Sequence, residues 1–259
     1  MSILAALTLH GPRTLDGTHL IALERTEAWT DEEVAAAQAV VEVWVEAGHR
    51  GAFPMPGADP AISDLTLSAP TQTNEAYLGF TVDATSVDPR SLQLLRHMLS
   101  RLGPPDDASL RHIAVTAQGH SMGARLSFPA IDGDNEHDQY PPAPTQPGFG
   151  VYWDDDIGYS RARRVLVEFP GAVEGPPVDT LADYALVWGA MVEGGAFTLP
   201  QGLPDVLDNV MGSVSQFDIA TLEIEVPVFK SNERAFDLLF HLLARYHTQE
   251  QPIRLVTVE

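Results

Sequence analysis

The sequence predicts an α+β fold, built twice along one chain. Three observations predict it: a long internal repeat, a strand–helix–strand order within each copy, and helix-start signals ahead of an apolar periodic run. The segment "VWVEAGHRGAFPMPGADP" (43–60) is answered by "VWGAMVEGGAFTLPQGLP" (187–204), an offset of 144 positions. The same offset carries Trp44 onto Trp188, Phe53 onto Phe197, Asp64 onto Asp208 and Gln72 onto Gln216. No gap is needed over residues 20–102, where roughly a quarter of the positions are identical. A register held through helices, loops and strands together points to tandem duplication.

Each copy reads in the same order. "ILAALTL" (3–9) and "HLIALER" (19–25), separated by turn residues that include Asp16 and Gly17, predict a hairpin. In the second copy "GFGVYW" (148–153) and "RRVLVEF" (163–169) flank "DDDIG" and predict another. A helix follows in "TDEEVAAAQAVVEVWVEAG" (30–48), with Thr30 as N-cap, Glu33 completing a capping box and Gly48 as the stop. The "GAF" at Gly51 and Gly195 predicts a tight turn with a buried Phe, and Trp44 and Trp188 read as core anchors. Next come the strands "AYLGFTV" (76–82) and "ATLEIEV" (220–226), then a second helix that starts near Asp88-Pro89. Each unit closes on a strand, "RHIAVTA" (111–117) or "PIRLVTV" (252–258).

Strand–helix–strand, repeated twice within each unit, resembles the ferredoxin-like α+β unit, here with an extra leading strand. The expected architecture is a tandem duplication of that unit: antiparallel sheets with helices on one face, paired as in a dimeric α+β barrel. Residues 1–118 form the first repeat, 119–147 a Gly/Pro/Asp-rich connector and 148–259 the second repeat.

Charge and composition narrow the function classes. The chain carries 36 acidic against 15 basic residues, a net charge of −21. Such a surface repels phosphate backbones and anionic lipid headgroups, which argues against nucleic-acid or membrane binding. It could attract a basic protein partner or simply maintain solubility, the second being the simpler reading. Cysteine is absent, so disulfides, thiolate nucleophiles and Cys-ligated metal sites are excluded. The N-terminal "MSILAALTLHGP" lacks a basic n-region and a long apolar run, and the expectation is a cytoplasmic protein.

One motif speaks for catalysis. "HIAVTA" leads into GHSMG (119–123), and helix, strand and G-x-S-x-G together resemble the nucleophile elbow of α/β hydrolases, with Ser121 as nucleophile. The elbow requires a helix directly after the serine. Pro129, Gly133 and Pro141 interrupt one here, and "ARLSF" reads as a strand or extended connection. The second copy carries the same preceding helix and strand without any serine motif. His137, His241 and His247 are the available bases, and nothing in the sequence aims them at Ser121. The reading places Ser121 in a turn.

The connector's "DGDNEHD" sets Asp132, Asp134 and Asp138 at alternate positions, where oxygen ligands for a hard cation would fall. The calcium-loop pattern fails, with His137 where glycine is needed and Ala143 where glutamate is needed. A solvated acidic loop is the simpler reading, and no cofactor is expected.

The more informative pattern lies on the second helix of each copy. Leu92, Leu95, Leu99 and Leu102 form its core face, as do Phe236, Leu239, Leu243 and Tyr246. Arg90, Leu94, His97 and Arg101 fall on a different face and recur as Arg234, Leu238, His241 and Arg245. Core packing explains retained leucines but not retained Arg and His. These six polar residues are the candidate binding residues, for a local ion-pair network, for contact between copies or chains, or for an anion.

The function these observations predict is a non-catalytic acidic binding protein. Its partner would be a basic protein, a toxin being one example, or a small ligand held across the paired repeats. The alternative is an enzyme, using Ser121 or an acid–base site between the repeats with His97, His241 or the acidic connector. The oligomeric state is left open.

Overall fold

The computed structural model describes residues 14–25, 28–73, 77–99, 101–102, 110–117, 124–127, 140, 144, 147–154, 162–197, 214–229 and 231–259. They form a mixed α+β fold with four helices and two five-stranded sheets. The first half holds β1 (Leu15–Arg25), α1 (Asp31–His49), a 3₁₀ turn (Pro60–Ile62), β2 (Asp64–Thr73), β3 (Tyr77–Val87), α2 (Ser91–Leu99), β4 (Leu110–Ala117) and β5 (Ala124–Ser127). The second holds β6 (Gly150–Trp153), β7 (Arg163–Glu168), α3 (Pro176–Glu193), β8 (Val214–Asp218), β9 (Thr221–Val226), α4 (Arg234–Gln249) and β10 (Leu255–Val258).

Local chemistry sets the first helix. Thr30 accepts from the Glu33 amide at 3.3 Å, and Glu33 accepts from the Thr30 amide at 2.9 Å, closing the capping box the sequence predicts. The stop differs from the prediction. Gly48 lies inside the last turn, where an added Cβ would come 2.6 Å from Leu65 Cβ, so its role is close approach to β2. The turn comes at Gly51, whose φ of +78° an L-residue rarely adopts. Gly195 repeats it at +89°, and Phe53 and Phe197 are buried immediately after.

The sheets run β2-β3-β1-β4-β5 and β6-β10-β7-β9-β8. With the edge strands β5 and β6 set aside, both read second, third, first, fourth in order of appearance. Contacts recur at the 144-residue offset. Leu20 pairs with Thr81 and Arg164 with Glu225. The Trp44 indole donates to the Ser91 carbonyl at 3.0 Å, and the Trp188 indole to the Ala235 carbonyl at 2.6 Å. Asp88 N donates to Phe53 O, as Asn232 N donates to Phe197 O.

Four expectations are corrected. The hairpin predicted for 148–169 does not form: β6 runs parallel to β10, which separates it from β7. Both edges of β7 are taken by β9 and β10, so the leading strand must add at the sheet's rim, and the second sheet is mixed rather than purely antiparallel. By contrast, the strand reading of "ARLSF" agrees with the structure, where β5 pairs antiparallel with β4. Leu102 is 42% exposed just past α2 and is not part of the core.

The fourth concerns how the halves meet. The sheets do not pair into a barrel; among the described residues each is hydrogen-bonded only within its own half. The halves meet through helices instead, α1 against α3 and α4 against the 3₁₀ turn. The physical reason is the distribution of apolar surface. α4 is buried almost all round, Leu238 and Leu242 included, and α2 buries Leu94 and Met98 beside Leu92, Leu95 and Leu99. Helices apolar on two sides need cover on both. The opposite sheet faces carry Asp83 and Thr85, or Glu223 and Glu225, which water suits better. One continuous core cluster therefore spans both halves.

Candidate functional site

Three of the six residues of the recurring polar stripe, His97, Arg101 and Arg245, lie at the seam between the halves. His97 donates from Nδ1 to the Ala196 carbonyl across the seam at 3.0 Å, which fixes the tautomer with its proton on that nitrogen. Arg101 is exposed, and its side chain lies against Gly195, leaving no room there for a Cβ. Arg245 reaches the other way and donates to the Ser63 carbonyl, with its Nε on Gln249 at 3.1 Å. His241 is buried in α4.

Arg90 and Arg234 hold their own loops. Arg90 pairs with buried Asp88 at 2.6 Å, and Asp88 also caps the Arg90 amide at 2.9 Å. This pairing holds the guanidinium above its usual range. Asn232 takes the same capping role in the second half, on the Arg234 amide at 3.0 Å, while the Arg234 guanidinium pairs with Asp237 at 3.1 Å. Burial raises the Asp237 carboxyl above the ordinary carboxylate range. Tyr140, from the inter-repeat stretch, is buried beside Phe53 with the Arg90 guanidinium 5.4 Å from its ring centre. Burial, with the Asp88 charge, pushes its phenol well up.

Four seam residues, Arg50, Ser63, Asp183 and Tyr184, were not legible in the sequence. Arg50 lies 5.1 Å from the Tyr184 ring centre and 4.0 Å from Asp183, both in the other half. Ser63 offers only its backbone carbonyl. Arg50 falls on Gly194 in the repeat, so no recurrence marks it.

A second candidate surface is the outer face of the second sheet. Val165, Val167, Leu222, Ile224, Val226, Val256 and Val258 point inward and are fully buried. By alternation, Arg164, Glu223, Glu225 and Thr257 point outward with Tyr152. Arg164 donates from Nε to Glu259 at 2.9 Å, lies 3.5 Å from Glu223, and stacks 5.6 Å from the Phe217 ring centre. The Glu259 hydrogen bond raises the pKa of this guanidinium. Arg254 is paired with Glu168. Phe217 and Tyr152, on the two rim strands, are 52% and 57% exposed. The face therefore offers carboxylates between aromatic rims, an arrangement suited to a cation.

No family model, curated protein or solved structure matches the chain. Ser121, Asp132, Asp134 and Asp138 lie outside the described residues. Among those described, no cluster of three or more His, Asp or Glu is placed to hold a metal ion, and no helix is long and apolar enough to cross a membrane.

The seam predicts a pH response. Burial holds the His97 pKa below the ordinary 6.5, opposed by the Ala196 hydrogen bond and reinforced by the Arg96 charge. The unfolded chain therefore takes up this proton more readily than the folded one. His97's contribution to stability is complete above the unfolded value and is lost as pH falls from there through the folded value. Melting temperature should drop from pH 7.5 toward 5, and His97→Gln should flatten that slope. An unchanged slope in the variant would remove His97 from the account.

Proposed function

We propose that the protein is a non-catalytic binding protein, made of two fused ferredoxin-like units that arose by tandem duplication, and that it holds a basic protein partner in the cytoplasm. The duplication is supported by the shared strand order and by the indole and loop hydrogen bonds that recur at the 144-residue offset. A cationic toxin neutralised on binding is one partner of this chemistry.

One observation carries the reading. Of the Arg/His stripe, the sequence's best candidate for gripping an anion, His97 and Arg245 are engaged in joining the halves, on Ala196 and Ser63, and Arg90 and Arg234 are paired with Asp88 and Asp237. The chain carries a net charge of −21, so the surface left for a partner is acidic. Complementary charge steers such encounters and selects partners.

The non-catalytic part is supported by topology. β4 is followed by β5, its antiparallel neighbour, whereas a nucleophile elbow leads from strand into helix. A fluorophosphonate probe is expected to leave Ser121 unmodified. An adduct abolished by Ser121→Ala would overturn this part. For the binding part, native cross-linking followed by reconstitution from purified components is expected to give a complex with a basic protein that weakens as salt rises. A reconstituted complex with an acidic or neutral partner, indifferent to salt, would overturn it.

A further inference from the structure

We infer that the outer face of the second sheet is where the basic partner docks, and that it takes an arginine-bearing segment across β7, β9 and β10. This inference rests on the binding function proposed above and assigns that function a place.

The face contains its own example of the contact. Arg164 is held between the Glu259 and Glu223 carboxylates with the Phe217 ring stacked on its guanidinium. Carboxylates supply directional acceptors for the planar fork, and an aromatic face supplies the cation–π and apolar contact beside it. A partner's arginine would meet a further carboxylate one step along β9, at the position opposite Arg164. There Glu225 is exposed and has no ion-pair partner among the described residues. Tyr152, on the opposite rim, offers a second exposed ring, and Ile219, 67% exposed at the β8–β9 turn, extends the apolar margin.

Charge complementarity selects the occupant. Arg164 and Arg254 are each already paired with carboxylates, so the charge the face presents to a partner is negative. A second copy of this chain would bring the same acidic face and be repelled. The aromatics matter because acidic charge alone would attract a cation anywhere on this molecule, whereas exposed rings flanking the carboxylates fix a place.

The experiment uses the full chain and a nona-arginine peptide, titrated calorimetrically at physiological salt. Phe217→Ser with Tyr152→Ser leaves the net charge unchanged and alters only exposed side chains. Glu223→Gln with Glu225→Gln removes two charges from the face, and Glu32→Gln with Glu42→Gln removes two from exposed positions on α1. Each sheet-face pair is expected to weaken binding at least about fivefold, and the α1 pair by less than about twofold.

If the aromatic pair binds as wild type does, or the α1 pair weakens binding as much as the sheet pair, the face is wrong while a basic partner remains. If sedimentation shows a dimer that Phe217→Ser dissolves, the face joins copies of this chain and the inference fails. If wild type binds no nona-arginine, both the face and the basic-partner reading fail.

Discussion

Trp188→Ala is expected to cost about 3–5 kcal/mol of folding stability, and Trp44→Ala a similar amount, measured by urea denaturation of the intact chain. Both indoles are fully buried, and each ties the end of the first helix in its half to the start of the second through one hydrogen bond. Truncation leaves a large cavity and a buried carbonyl, Ala235 O or Ser91 O, without its donor. Trp188→Phe keeps most of the volume and loses only the donor, so it should cost about 1–3 kcal/mol. The core is continuous across the halves, so both truncations should lower a single transition. Two separated transitions, only one of which responds to Trp188→Ala, would show that the halves unfold independently.

The second large effect is expected at Asp88. Asp88→Ala removes a buried carboxylate that caps the α2 entry and pairs with Arg90, at a cost of about 2–3 kcal/mol. That figure sits at the lower end for buried pairs because Arg90 is partly exposed. Asp88→Asn should cost only about 1 kcal/mol, since the second half already performs the capping with Asn232. The loss in Asp88→Ala should shrink further when Arg90 is also replaced, because the stranded guanidinium is then gone. Equal destabilisation by Ala and Asn would show that the ion pair, rather than the cap, dominates this turn.

Much of the fold was readable because its signals are local. Thr30 and Glu33 are three residues apart, and the capping box they form needs nothing else. The glycines at 51 and 195 mark turns through their own backbone, and the alternation in "ATLEIEV" survives as buried Leu222, Ile224 and Val226. The strand expected at "ARLSF" exists, but its place beside β4 was not written in it. Gly48 was misread because a helix stop and a close packing contact both favour glycine, and only the position of Leu65 separates them.

The candidate site was half readable. Recurrence at Arg90, His97 and Arg101 showed that something other than the core holds these residues, and contact between copies was one of the options. Which atoms they meet could not be read, because Ala196 and Ser63 contribute backbone carbonyls that carry no side-chain signature. Arg50 and Tyr184 escaped because their contact across the seam has no counterpart: the 144-residue offset puts Gly194 and Val40 at their positions. The outer sheet face escaped because its members come from five strands and meet only once those strands are ordered.

By itself the sequence determined the α+β class, the capped start of the first helix, and the alternation that buries Leu222, Ile224 and Val226. Caps, turns and periodicity act over a few residues, so they are written in order along the chain. The tertiary structure alone decided that β6 joins β10 rather than β7, that the halves meet through helices rather than sheets, and that an acidic face with aromatic rims is left outward. Those outcomes depend on which strand edges are vacant and which apolar faces still need cover, and neither exists until distant segments have come together.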